Sequence, residues 1–404
     1  MKMNFRAMNK TFWTIWDAAS YDIVNTMLNE GSLPNLKKIL KTGKGFPVIL
    51  NDYNSQTPCA LAMQFTGKDS SFLDVGGYNT PNYKSLEHQT GYYCTFRNKK
   101  VSDYLAWHQK YIGYKKIGLS QVPYSSDETN EIYGIDGFSK KKADFKLIYE
   151  TDFVKTKKKH IKTMTVTICN QTYTLFLIRE NQYTYLRITT ANNPNILTIE
   201  CDINQNNDIW ISNCAGFKIF VFTKENKELF ILITDTWEYS LKNLRIDKFF
   251  HSEVGVFIGR AYGRLYRSGE FGRPFYEGGN GRAEEIYLDL LKTVSNSFTS
   301  LNMWLINACS FSVIISYQPC IDEASHEFYG WWKNTEGRDK EYFWNLLKQA
   351  YTYADNHLGC ILDKMDLRDN IIVTSDHGIY SVSYDFFLND YLKQKKCCFA
   401  MAEK

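Results

Sequence analysis

Two kinds of hydrophobic pattern alternate along the chain. Residues 11–16, TFWTIW, form a short apolar run that ends at Asp17 and predicts a buried strand. In YDIVNTMLNEG, Ile23, Val24, Met27 and Leu28 share one helical face, and Gly31 stands where such a helix would stop. Pro34 opens a second helical stretch, PNLKKILKTG, that closes at Gly43. A strand followed by two helices predicts an α/β layer.

From about residue 161 to 235 the period becomes alternating, through KTMTVTI, YTLFLI, TYLRITT, ILTIE, DIWIS, FKIFVFT and LFILIT. Seven short strands with polar breaks predict a sandwich or small barrel, and KENKE at 224–228 predicts a hairpin between the last two. Helical spacing then returns in AEEIYLDLLKTVSNSFTSLNMWL, with Ile286, Leu290, Val294, Leu301 and Leu305 in phase. The strand FSVIIS, the polar stretch YQPCIDEASHEFYG, a helix from KEYFW to LDKM and the strand NIIVTS follow. Strand, helix and strand predict a βαβ unit with parallel pairing and a site at the carboxyl ends of its strands. The expected organisation is an α/β core whose N-terminal part spans 1–150, an inserted β-rich, sandwich-like domain over 151–250, and the C-terminal part of the core over 251–404.

Composition narrows the function. The 404 residues are 44% hydrophobic, 16% aromatic and 23% charged, which is a folded, aromatic-rich body. A net charge of +4 from 48 basic and 44 acidic residues excludes the concentrated basic face of a nucleic-acid-polymer binder. The one dense basic run, KTKKKH at 155–160, reads as a solvated loop. Ten cysteines without CxxC or other metal spacing, and no recognisable secretory or membrane-spanning segment, lead to the expectation of a cytoplasmic protein with reduced thiols.

The ends of the expected strands carry Asp17, Asp322 and Asp376, with His326 and His377 close by. Any one of these acids alone is explained as a helix cap or turn residue. Asp322 and His326, spaced i, i+4, would on a helix aim a carboxylate and an imidazole at one point, a donor pair that suits a divalent ion. Asp376 and His377 are adjacent and can converge only in a turn, for which Gly378 supplies the freedom. In SQTPCALAMQFTGK, Thr57 is either an ordinary N-cap before Pro58 or a hydroxyl at a helix N-terminus where a phosphate could sit. Cys59 is a rival nucleophile on another face of the turn, with no histidine near it in sequence, and Thr57 is preferred.

In this order the motifs resemble the alkaline phosphatase superfamily, and within it the type I phosphodiesterase/nucleotide pyrophosphatase branch. FWTIWDAASYDIVNTMLNEGSLPNLKKIL is similar to the family's opening strand, metal-binding Asp and PNL helix. SQTPCALAMQFTG is similar to its nucleophile helix, YQPCIDEASHEFYG to its D-x-x-x-H element, AYTYADNHLGCIL to the joining helix, and IIVTSDHG to its most recognisable motif. The resemblance covers residues 11 to about 95 and 270 to 392. It implies a three-layer α/β/α core and two divalent metal ions, of which zinc suits Asp/His donors while Mn²⁺ and others stay open. It further implies that Asp17, Thr57, Asp376 and His377 hold one ion and Asp322 and His326 the other. Thr57 would then attack phosphorus to give a phospho-threonine.

Three departures from the family pattern stand out. Ala18 follows Asp17 where the family most often has Gly, and LDVGGYNTPN lacks the usual His-Gly pair, leaving Asn79 as the candidate substrate contact. The family's second metal normally takes a further histidine from a Gly-x-His-Gly turn downstream, but no histidine follows His377 and the sequence reads as truncated; His251 lacks a supporting motif. The expectation is a metal-dependent hydrolase of phosphodiester or pyrophosphate bonds in small, nucleotide-like substrates, with no nucleic-acid polymer and no membrane as partner. The alternative is a catalytically weakened or truncated relative that binds a ligand or partner through the β-rich part. A sulfatase is disfavoured because neither Thr57 nor Cys59 precedes the required x-P-x-R, and a phosphoglycerate mutase-like protein would use a serine.

Overall fold

The computed structural model describes residues 10–50, 56–68, 79–81, 88–90, 116–122, 132–194, 196–202, 207–308, 310–366, 368–382, 391 and 394–395. Its strands are β1 (Thr11–Trp16), β2 (Asn79–Pro81), β3 (His88–Thr90), β4 (Ile117–Ser120), β5 (Ile132–Ala143) and β6 (Lys146–Tyr149). They continue with β7 (Val154–Lys155), β8 (Ile161–Ile168), β9 (Gln171–Glu180), β10 (Tyr183–Thr189), β11 (Leu197–Glu200) and β12 (Asp208–Trp210). The last are β13 (Ala215–Thr223), β14 (Leu229–Ile233), β15 (Thr236–Lys242), β16 (Val313–Gln318) and β17 (Asn370–Ser375).

Most of them join one ten-stranded sheet in the order β17-β1-β16-β4-β5-β15-β13-β14-β6, with β12 beside β13. From β17 to β5 the pairing is parallel. From β5 onward it is antiparallel. Helices Cys320–Asn334 and Gly337–Leu362 form the crossover from β16 to the parallel β17, and the long helix Arg282–Ala308 leads into β16. The molecule is therefore a mixed α/β fold around a large mixed sheet, as the strand and helix periods predict. β16 and β17 are parallel as expected, but they are not neighbours, because β1 inserts between them.

The seven strands expected over 161–235 divide between two sheets. β8 to β11, with β7, form a separate five-stranded antiparallel sheet, whereas β12, β13 and β14 extend the large one. The continuous apolar runs of β13 and β14 have a physical reason. Phe220, Phe222, Phe230 and Leu232 face the core shared with the helices, while Ile219, Val221, Ile231 and Ile233 pack against the five-stranded sheet in a second core. Strands covered on both faces lose the polar half of their alternation. The hairpin expected at KENKE is present, closed by the Lys224 amide on the Glu228 carbonyl at 2.8 Å. β4 and β5 had no clear sequence signal, since glycines and lysines interrupt IGLS and IYGIDGFSKKKA.

Helix Pro34–Leu40 is held in place by a buried acid from another element. Asp355 accepts the Asn35 and Leu36 amides at 3.0 and 2.8 Å, which satisfies first-turn donors that have no partner inside the helix. The six cysteines for which a state is described are free thiols. No helix among the described residues is long and apolar enough to cross a membrane.

His357 lies in this core, with Nε2 3.2 Å from Asn302 Nδ2 and Nδ1 3.1 Å from Thr299 Oγ1. Burial pushes its pKa down to about 3. The folded protein keeps the ring neutral where the unfolded chain protonates it, so its contribution is present above the unfolded pKa of about 6.5 and is lost as pH falls toward 3. Stability is expected to drop in that window with a slope of up to about 1.4 kcal/mol per pH unit from this group. Urea titrations of the protein and of His357→Gln at several pH values check this, the variant showing the shallower acid dependence.

Candidate active site

β1 lies in parallel register between β16 and β17, with Trp16 opposite both Gln318 and Ser375. The three chains leave the sheet side by side, and Asp17, the turn into helix Cys320–Asn334, and Asp376 emerge at one edge. Apolar β1, β16 and β17 thus present acids at the carboxyl ends of parallel strands.

Asp17, Asp376 and His377 each offer a ligand atom within 4.8 Å of the others. His377 Nε2 stands 3.2 Å from Asp17 Oδ1, 3.7 Å from Asp376 Oδ2 and 3.3 Å from Thr57 Oγ1. Its Nδ1 is 2.9 Å from the Gly378 carbonyl, a contact that places a proton on Nδ1 and turns Nε2 toward the acids. Asp376 Oδ1 accepts the Ala18 and His377 amides at 3.2 and 3.0 Å. Asp17 Oδ2 accepts the Tyr317 hydroxyl. The other oxygens, Asp17 Oδ1 and Asp376 Oδ2, are buried and turned toward the His377 ring, and Asp322 Oδ1 is buried beside the His326 ring.

Thr57 begins helix Thr57–Thr66, with Gln56 at the N-cap. It is therefore the first helical residue and not the cap, and its hydroxyl meets His377 instead of closing its own helix. The helix is tied to the strand ends. Trp13 Nε1 donates to Thr374 Oγ1 at 2.8 Å, Thr374 Oγ1 donates to Gln64 Oε1 at 3.1 Å, and Gln64 Nε2 donates to the Ser375 carbonyl at 2.6 Å. Phe65 packs edge-to-face on Trp13 with ring centres 5.6 Å apart. Cys59, the rival nucleophile, is fully buried.

Asp322 and His326 lie on the first turns of the helix that follows β16, with Oδ1 and Nε2 3.4 Å apart. The pair sits close enough for its charge to act on the cluster, since Asp322 helps to raise the Asp17 pKa. His326 is the more open partner, its side chain 64% exposed. His251 is engaged elsewhere, stacked on Trp210 at 4.2 Å with Nε2 2.9 Å from the Asn213 carbonyl. Asn79 opens β2, and its side chain lies outside the described part of the molecule. Sequence reasoning missed Tyr317, Gln64 and Thr374; the one available signal was their place, Tyr317 and Thr374 near the ends of strands and Gln64 inside the helix that carries Thr57.

The electrostatics of the cluster are those of buried excess negative charge. Burial first, and the Asp376 charge second, hold the Asp17 carboxyl well above the usual range, against the opposing His377 hydrogen bond. Burial also raises Asp376. For His377, burial works to lower the pKa, but the Asp17 hydrogen bond and the charges of Asp376 and Asp17 prevail and lift it to about 10. Donor-poor carboxylate oxygens facing an imidazole nitrogen fit a divalent cation, which would neutralise what protons neutralise here.

Fold and cluster together define an α/β protein with an acid and histidine centre suited to a divalent cation. Residues 244–403 match the family model described as type I phosphodiesterase / nucleotide pyrophosphatase, a family of the alkaline phosphatase superfamily. The match supports a phosphodiester hydrolase, and the family acts on small phosphate esters and is typically metal-dependent. No curated protein and no solved structure matches the chain. Asp17 and Thr57 lie outside the matched segment, and the sheet brings them to it.

Ala18 takes φ of +56°, the left-handed region that disfavours a side chain, while its amide serves Asp376. This accounts for the glycine that the family pattern has at the corresponding position. Ala18→Gly is expected to stabilise the fold by about 1 kcal/mol without changing the cluster, as measured by denaturant unfolding. An unchanged or lower midpoint contradicts it.

Proposed function

We propose that the chain is a metal-dependent hydrolase of phosphodiester or pyrophosphate bonds in small, nucleotide-like substrates, with Thr57 as nucleophile. The observation that carries this reading is the convergence of Asp17, Asp376 and His377 within 4.8 Å, with Thr57 Oγ1 3.3 Å from His377 Nε2. In this reading Asp17, Thr57, Asp376 and His377 hold one divalent ion, and Asp322 and His326 a second. Zinc fits such donors best, and other divalent ions are compatible with them. Bound there, the ions would acidify the Thr57 hydroxyl and offset charge on the phosphoryl oxygens.

The residues themselves do the rest. Thr57 stands in the first turn of its helix, where the positive dipole end favours an anionic phosphoryl group. Its oxygen, having lost its proton to solvent, bonds to phosphorus as the bond to the opposite, leaving oxygen breaks. Water then attacks the phospho-threonine and restores Thr57. Tyr317 and the Ala18 and His377 amides hold the Asp17 and Asp376 carboxylates so that one oxygen of each faces inward. Tyr317 and these amides are positioning groups, since each acts through a carboxylate.

Thr57→Ala is expected to reduce hydrolysis of a chromogenic phosphodiester by about a thousandfold or more, with the fold intact by circular dichroism. Equal rates in the two proteins would sink the enzyme reading. Zinc binding without measurable hydrolysis in either protein would favour the ligand- or partner-binding alternative.

Zinc addition to the metal-free protein is expected to release protons, because His377 is held protonated to about pH 10 and must present a free Nε2. Affinity should accordingly fall as pH is lowered. Calorimetric titration in two buffers of different protonation enthalpy measures this, and identical heats in both contradict it.

A further inference from the structure

The outer face of the five-stranded sheet carries a trough that the hydrolase reading leaves unused. Alternation along β9 and β10 sends Leu175, Leu177, Leu186 and Ile188 into the core between the sheets, and Phe176, Ile178 and Arg187 to the opposite face. Phe176 pairs with Thr163 and Arg187, and Ile178 with Ile161, so Ile161, Phe176 and Ile178 form an apolar floor across β8 and β9, with Arg187 beside it on β10. The turn holding Lys157 and Lys158 borders one end and the turn reaching Pro194 the other, leaving a shallow, open trough of about 570 Å³.

The charge is one-sided. Lys157, Lys158 and Arg187 line the trough with no acidic side chain among its walls. Glu150 is taken by Lys162 at 2.6 Å and Arg179 at 2.5 Å. Among the described residues none of the three lining cations makes an ion pair. We propose that this trough is a docking site for an acidic peptide segment of a partner protein, one that alternates carboxylates with apolar side chains. The cations steer and orient such a segment, and the floor buries its apolar side chains.

The extent of the charge argues against the other anionic partners. A bilayer surface needs a broader basic face, and a nucleic-acid strand a longer basic track, than Lys157, Lys158 and Arg187 supply.

The test uses the full chain and a fluorescein-labelled synthetic peptide alternating Glu with Leu and Phe, read by anisotropy. Saturable binding is expected that weakens about tenfold or more in the Lys157→Glu/Lys158→Glu double variant and in Arg187→Glu, and with added salt. Phe176→Ala, checked for an unchanged melting curve, should weaken it as well. Phosphodiester hydrolysis should be the same in all these proteins, which separates failure here from failure of the hydrolase reading. No saturable binding, binding indifferent to charge reversal, or equal binding of a peptide with Lys in place of Glu overturns the proposal. Tighter, charge-dependent binding to phosphatidylserine vesicles or to an oligothymidine also overturns it.

Discussion

Everything about this molecule's chemistry depends on β1 lying in parallel register between β16 and β17. Residues from the beginning and the end of the chain, Thr11–Trp16 and Asn370–Ser375, pair from end to end. That pairing sets the Asp17 and Asp376 carboxylates beside one another in a buried place, where two negative charges oppose each other and water cannot compensate them. The sheet can hold the arrangement because β1 and β16 are apolar strands buried in the main core.

The cluster is held from behind as well as assembled from in front. One oxygen of each acid is fixed by Tyr317 or by backbone amides, and the inward oxygen of each is left to His377. The Trp13, Thr374 and Gln64 chain fastens helix Thr57–Thr66 to the end of β17. A small shift of that helix would separate Thr57 from His377, so the links away from the centre matter as much as the four residues within it. The strained left-handed Ala18 belongs to the same logic, since the chain must turn sharply after Asp17 to bring its amide to Asp376.

The large sheet serves two kinds of packing. Its parallel half carries the acid-bearing ends, and its antiparallel half shares a second core with the five-stranded sheet through the inward side of β13 and β14. The Arg260 guanidinium on buried Asp235, and the Ala261 amide on Glu323, link the antiparallel half to the helix that carries Asp322 and His326. Burial raises Glu323 to a pKa of about 8, the cost of running this connection through the protein interior.

Much was legible in order and spacing. The apolar runs announced β1, β16 and β17, the i, i+4 step announced the Asp322 and His326 pair, and SDHG announced Asp376 and His377, because strands, helices and turns impose their periods locally. Local rules could not say that β1 inserts between β16 and β17, since strand order is decided by which faces the helices cover. Nor could they separate β12, β13 and β14 from β8 to β11, because an apolar run looks the same whether one sheet or two cover it. Tyr317 and Gln64 gained their importance only when distant segments met. The residue types were determined by the sequence; that Thr57, Asp17, Asp376 and His377 share one buried point was decided by the tertiary structure, because only the strand pairing and helix packing bring segments from the two ends of the chain together against the repulsion of their buried charges.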